Sequence, residues 1–284
     1  MPEAPSGRVK FSRESDLPCI MKAIFVADDW GLSASIHDAV IACHQAGALD
    51  AASIMMGQPF TQAAVSYARQ NPDLPVGIHL FANDSEVVPL SRCSWPWWWP
   101  MGLAINLVLH LPPIHRSAVQ EVRQQLILYR ETGLRLDTIN SHFQFHAHPA
   151  VAGEIACIVR DLFPEFRGWM RLGTLRLFGA TRVAELLLNA VNRPMQAGAV
   201  HWAGGRNDSL WGLDRTFQMN AREIEMAVRS LPPGNHEFIF HPGRTWSLDS
   251  AAPTTEVDTL LALARSLPQQ ARGIGHGPFG GSAT

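Results

Sequence analysis

"CIMKAIFVADDWG", residues 19–31, is an apolar run that ends in two acids and a glycine. With no polar alternation along most of its length, it reads as a strand buried on both faces. The next stretch, "SASIHDAVIACHQAGAL" (33–49), changes to helical periodicity and closes on Gly47. The same pairing recurs outward from this start. "DAASIMMG" (50–57) reads as a strand and "TQAAVSYARQNP" (61–72) as a helix, followed by "LPVGIHL" (74–80) as a third strand. "SAVQEVRQQLILYRETG" (117–133) is an amphipathic helix capped by Gly133. "LDTINSH" (136–142) is again a strand and "AVAGEIACIVRDLF" (150–163) a helix. The pattern weakens from 165 to 210, where "TRVAELLLNAVN" (181–192) is the one amphipathic stretch. "NAREIEMAVRSLPPG" (220–234) is a helix, "HEFIFHPG" (236–243) a strand and "EVDTLLALARSLP" (256–268) a final helix. Strand alternating with helix predicts an α/β fold with a mostly parallel sheet joined by right-handed crossovers. A single-domain irregular β/α barrel is the expected architecture, with an open doubly wound sheet as the alternative.

The expected domain covers 21–270, between a flexible extension at 1–20 and a flexible tail at 271–284. At 284 residues and 46% hydrophobic content the chain can bury a substantial core. A formal charge of −2 argues against nucleic acid as a partner. The four cysteines, Cys19, Cys43, Cys93 and Cys157, share no paired spacing and read as reduced thiols in a cytoplasmic protein. Residues 1–19 carry no apolar signal-peptide segment, and "MGLAINLVLHL" (101–111) is too short to span a bilayer.

The ionisable groups share one position in this scheme. Asp28 and Asp29 end the first strand, His79 ends "VGIH", His142 ends "LDTINSH" and His241 ends "HEFIFH". In a parallel β/α fold the strand C-termini converge at one mouth, where sites are built. Each motif also has a plainer reading alone: Asp-Asp as a helix-capping turn, His79 as a core histidine, "HPG" as a turn. Together they leave several ionisable groups at buried strand ends, and burial of such groups needs a reason. Two imidazoles and a carboxylate form a three-ligand set that leaves a position for water, with a second carboxylate as base and a further His as acid. Adjacent acids on a strand point to opposite sides, so Asp28 and Asp29 are expected to have different roles. In "NSHFQFHAHP" (140–149), an extended strand places residues four apart about 13 Å from each other, so one ion can take at most one or two of His142, His146 and His148.

"ADDWG" (27–31) resembles the ADDFG motif of the YdjC-like carbohydrate deacetylases, and "GIHL" (77–80), "NSHFQFHAHP" and "HEFIFHPG" follow in that family's order. The similarity runs from about residue 21 to 245. It implies a deformed β/α barrel that removes acetyl from an N-acetylated sugar or glycolipid. Asp29, His79 and His142 would hold one divalent metal, with Asp28 as base and His241 as acid or transition-state stabiliser. Ligand softness favours zinc, with magnesium as the alternative. His146 would line the substrate groove beside Gln144, where relatives often carry a further His, and His148 would pack near Pro149. "GGRNDSLWGLD" (204–214) resembles a segment of the hopanoid-associated branch and makes Asn207 and Asp208 candidate substrate contacts, with Arg244 after "HPG". The resemblance also implies a homodimer. Trp97, Trp98 and Trp99 lie in the Pro-rich stretch after "GIHL"; they read as a packed lid, a sugar platform or a peripheral membrane anchor. "ELLLNAV" (185–191) could assist at a membrane but is expected in the core. The rival readings are hydrolysis of another ester or phosphoester, and an inactive carbohydrate-binding protein.

Overall fold

A computed structural model of the chain describes residues 21–82, 87, 90, 109–178, 182–197, 205–244 and 256–268, with backbone alone at 191–197. The tryptophans Trp97, Trp98 and Trp99 lie outside the described residues, as do both expected terminal extensions.

The strands are β1 (Met21–Trp30), β2 (Ala51–Ile54), β3 (Val76–Leu80), β4 (Thr138–Ser141), β5 (Trp169–Met170), β6 (Thr174–Arg176), β7 (Gly205–Arg206), β8 (Ser209–Trp211) and β9 (Gly234–Phe240). They form one sheet in the order β6-β8-β9-β1-β2-β3-β4-β5-β7, and every described pairing is parallel. The helices are α1 (Ala34–Gln45), α2 (Thr61–Gln70), α3 (Pro112–Glu131), α4 (Pro149–Leu162), α5 (Arg182–Ala197), α6 (Ala221–Arg229) and α7 (Glu256–Ser266).

The sheet curls round on itself because its two edges continue segments already inside it. Only residues 171–173 separate β5 from β6, and only 207–208 separate β7 from β8. The segment 169–176 therefore pairs first with β4 and β7 and then with β8, which carries the ladder on to β9 and β1. This is the deformed barrel expected from the sequence. The four short strands β5 to β8 fall where the sequence pattern was weak, since two- and three-residue strands carry too little periodicity to read.

Strand alternation divides the side chains into two sets. Ala23, Phe25 and Ala27 of β1, with Phe238 and Phe240 of β9, join the large core shared with the helices. Ile24 and Val26 of β1 meet Ala51 of β2 and Trp169 of β5 in a separate interior cluster. Asp28, Ser53, Asn140, Arg171 and Glu237 form a buried network, and Trp169 bonds Glu237. Both faces of the sheet are covered, which explains why β1 reads as an apolar run. At Gly77 of β3 any side chain would collide with the Thr138 carbonyl oxygen, 2.0 Å from an ideal Cβ, so glycine permits the close β3–β4 approach.

Two elements depart from expectation. The strand expected over 136–142 ends at Ser141, and His142–Ala147 is a tight 3₁₀ turn broken by left-handed Phe143 and Gln144. The leucines of "ELLLNAV" are not core. Leu186 and Leu187 of α5 are 70% and 66% exposed, while Glu185 and Asn189 turn inward onto the β6 segment. No described helix is long and apolar enough to cross a membrane.

Candidate metal centre and active site

The ionisable strand ends do converge. Asp29, His79 and His142 each offer one ligand atom, and these three atoms lie within 4.8 Å of one another. His79 Nε2 is 3.2 Å and His142 Nδ1 3.4 Å from Asp29 Oδ1. Asp29 Oδ1 and His79 Nε2 are buried without a hydrogen-bond partner. Buried polar atoms are rarely left in that state, and a cation would satisfy both. His79 is also oriented from behind, since its Nδ1–H donates to Asn140 Oδ1 at 2.7 Å and leaves the Nε2 lone pair aimed at the centre. The donor set therefore fits a divalent ion.

Asp29 reaches this position through a kink. Its φ is +59°, and the β1–β2 register shifts between Ala27 and Trp30. Simple alternation would send the adjacent carboxylates to opposite sides of the strand. The kink instead brings both to one imidazole, with Asp28 Oδ2 3.7 Å from His79 Nδ1. They differ in what else they touch. The other Asp29 oxygen accepts from Arg244. Burial works to raise the Asp29 pKa, but His142 and His79 hold it well below the usual carboxylate range.

Asp28 is held by Arg171, whose two terminal nitrogens donate to its two oxygens at 2.5 and 2.8 Å. Ser53 and the Asn140 amide donate to Oδ1 as well. Burial opposes ionisation, yet Arg171 and His79 lower its pKa to about 2. The same guanidinium bonds Glu237 through Nε at 2.5 Å. Arg171, Glu237, Ser53 and Asn140 escaped the sequence reading. Glu237 sits two residues into "HEFIFHPG", where parity with His241 was its one available signal. Arg171 follows a two-residue strand and had none.

His241 follows β9, its backbone N–H donating to Glu256 of α7. Burial lowers its imidazole pKa to about 4 against the pull of Asp29 and Asp28, so it is neutral at pH 7. Burial raises Glu256 to about 7, despite hydrogen bonds from the backbone of His241, Phe217 and Met219.

The expected substrate contacts divide. Arg244 is at the site on Asp29, and Gln144 is half-buried two residues after His142. His146 is not a groove residue. It is fully buried, with one ring nitrogen on Ser141 Oγ at 2.6 Å and the other on the Arg171 carbonyl at 2.9 Å. His148 packs at the start of α4, accepting from the Ala150 N–H. Asp208 bonds the Asn235 N–H at the start of β9, the opposite end from His241, so it stands away from the mouth. Asn207 beside it is buried in the β7–β8 break.

Comparison with known proteins finds relatives of this chain. A carbohydrate deacetylase of Brevibacillus brevis is 32% identical over 209 residues, covering 72% of this chain and 75% of that protein. A carbohydrate deacetylase of Vibrio campbellii is 31% identical over 149 residues, 52% of this chain and 57% of its own length. The chain thus spans little more than half the length of that relative. A crystal structure from Enterococcus faecalis V583, of a protein provisionally named for cellobiose-phosphate cleavage, superposes with a TM-score of 0.57 at 18% identity. It covers 90% of this chain and 96% of its own, and so shares the fold. The family model described as "YdjC-like protein" matches residues 22–266. On that match and the Brevibacillus relationship, this chain belongs to the YdjC-like family.

Proposed function

We propose that the protein is a metal-dependent N-deacetylase that hydrolyses the acetamido group of an N-acetylhexosamine in an oligosaccharide or glycolipid. The observation that carries this reading is the convergence of Asp29, His79 and His142 beside a second buried carboxylate at the barrel mouth. The relatives named carbohydrate deacetylases support the same chemistry. A divalent cation held by these three residues would polarise the acetamide carbonyl and acidify a water, and two imidazoles favour zinc over magnesium. Asp28 takes the proton of the attacking water. Arg171 fixes both oxygens of that carboxylate and the ordered Asn140 and Ser53 bonds keep it from rotating. As the C–N bond breaks, His241, neutral at rest, relays that proton from Asp28 to the departing amine, and acetate and the free amino sugar result.

One observation favours a second assignment of the proton. All four hydrogen bonds described for Asp28 engage its acceptor oxygens, and at a pKa of about 2 it is a weak base. Neutral His241 could instead take the water's proton and return it to the amine. The two assignments separate on an ester. A nitrophenolate leaves without protonation, so His241→Asn should spare 4-nitrophenyl acetate hydrolysis if His241 is acid alone, and abolish it if His241 is also the base.

The function itself is tested by acetate release from N-acetylated sugars and glycolipids, with metal content measured on the same protein. Asp29→Asn should lose the metal. Asp28→Asn should keep it while turnover falls about 10²–10⁴-fold. Metal binding without acetate release from any sugar would favour an ester or phosphoester hydrolase, or an inactive carbohydrate-binding protein. Activity confined to glycolipid would support the peripheral membrane contact. A homodimer is checked by light scattering.

A further inference from the structure

Four non-glycine residues among those described have positive φ: Asp29, Phe143, Gln144 and Phe217. All four lie at the site. Asp29 carries the metal-facing carboxylate, Phe143 and Gln144 follow His142, and Phe217 lies against His241. A bulky side chain in the left-handed region is a backbone outlier, and such strain persists where the surroundings impose it. Asp29 has its explanation in the kink. The two phenylalanines have none in core packing, because Phe143 is 37% exposed and Phe217 half-buried.

Each ring packs against a residue that touches one oxygen of the Asp29 carboxylate. His142 faces Asp29 Oδ1, and the Phe143 ring lies edge-to-face against His142 at 4.2 Å between centroids. Arg244 binds Asp29 Oδ2, and its guanidinium lies over the Phe217 ring at 5.5 Å. The Phe217 ring also meets His241, 5.1 Å between centroids. Each ring thus touches a site residue with one part and reaches solvent with another. An aromatic face is electron-rich and apolar, which suits a sugar ring presenting C–H bonds on one face and hydroxyls at its rim.

We propose that Phe143 and Phe217 are the walls that hold the pyranose ring over the metal centre, and so determine that the substrate is a sugar. This rests on the deacetylase reading for the reaction, but the contact can be tested apart from turnover. In the metal-loaded protein, Phe143→Leu and Phe217→Leu should each raise KM for N-acetylglucosamine about tenfold. Hydrolysis of 4-nitrophenyl acetate, which has no pyranose, should stay within about twofold. Equal losses on both substrates would overturn the proposal, because the rings would then be positioning His142 and His241 instead. An unchanged KM would overturn it too.

If the unaltered protein hydrolyses the ester but releases no acetate from the sugar, the deacetylase reading fails and binding decides the walls. Saturation-transfer NMR with N-acetylglucosamine should then show sugar contact that the double Leu variant lacks, and silence from the unaltered protein would overturn the proposal. The strain is checked on its own: Phe217→Gly should melt about 2 °C above Phe217→Ala, both having lost the ring. Equal melting would remove the strain on which the assignment stands.

Discussion

Glu256 joins the barrel mouth to α7 by accepting from the backbone N–H of His241, among others, and its proton makes stability depend on pH. Its folded pKa of about 7 lies above the ordinary 4.5, so the folded state binds the proton more tightly than the unfolded chain does. That contribution is complete below pH 4.5 and is lost as pH rises through 7, a change of about 3 kcal/mol. Buried His241 and His146, with pKa values lowered to about 4 and about 3, add the opposite slope below pH 6.5. Glu256 is therefore read by difference: the urea midpoint of Glu256→Gln should gain on that of the unaltered protein as pH rises from 5 to 7. Midpoints that run parallel would show that another group carries the slope. Asp28 works with the opposite sign, since its depressed pKa favours the folded state above pH 3.8 and that advantage is lost only as pH falls through 2. At this scale the sequence was legible where a residue ended a strand long enough to read. Asp28, Asp29, His79, His142 and His241 announced themselves by that position. Arg171 did not, because its importance comes from three contacts made across the barrel interior to residues distant in the chain.

Among the elements, α5 reverses the usual amphipathic rule. Asn189 bonds both the N–H and the carbonyl of Leu175, and Glu185 accepts from the Leu177 N–H, so the polar side of the helix satisfies backbone groups of the β6 segment. The leucines are left outside. Periodicity identified the helix correctly but could not say which side faces in, because the barrel here presents open backbone groups where an apolar surface was expected. Leu186→Gln with Leu187→Gln should change stability by less than about 0.5 kcal/mol. Asn189→Ala should cost about 1–3 kcal/mol by stranding two backbone groups. Chemical denaturation of the three proteins checks the order, and a larger loss from the leucine pair would mean that they are covered. The turn at His142–Ala147 gives a second example. Its histidines looked alike in sequence, yet the left-handed pair Phe143 and Gln144 turns the chain so that His142 serves the centre while His146 is sealed inside.

For the whole molecule, alternating strand and helix was enough to predict the parallel barrel, because each long strand is covered on both faces and each long helix on one. The closure was not legible, since it depends on four short strands in a region of weak pattern. It depends also on β1 lying between β2 and β9. Ending the chain at residue 233 would remove β9, leaving β1 with an unpaired edge and Arg171 without Glu237. Such a chain should form aggregates on size exclusion, and a monomer with the far-ultraviolet spectrum of the full protein would contradict this.

The placement of β1 also sets a timetable for the ribosome. Asp29 and His241 are about 210 residues apart in sequence. At roughly 5–20 residues per second, the first strand waits about 10–40 s for its last partner to be translated. During that interval one side of the apolar run 21–30 is an open ladder. A pause anywhere between the codons of β1 and β9 therefore lengthens its exposure to chaperones and to other nascent chains by the full duration of the pause.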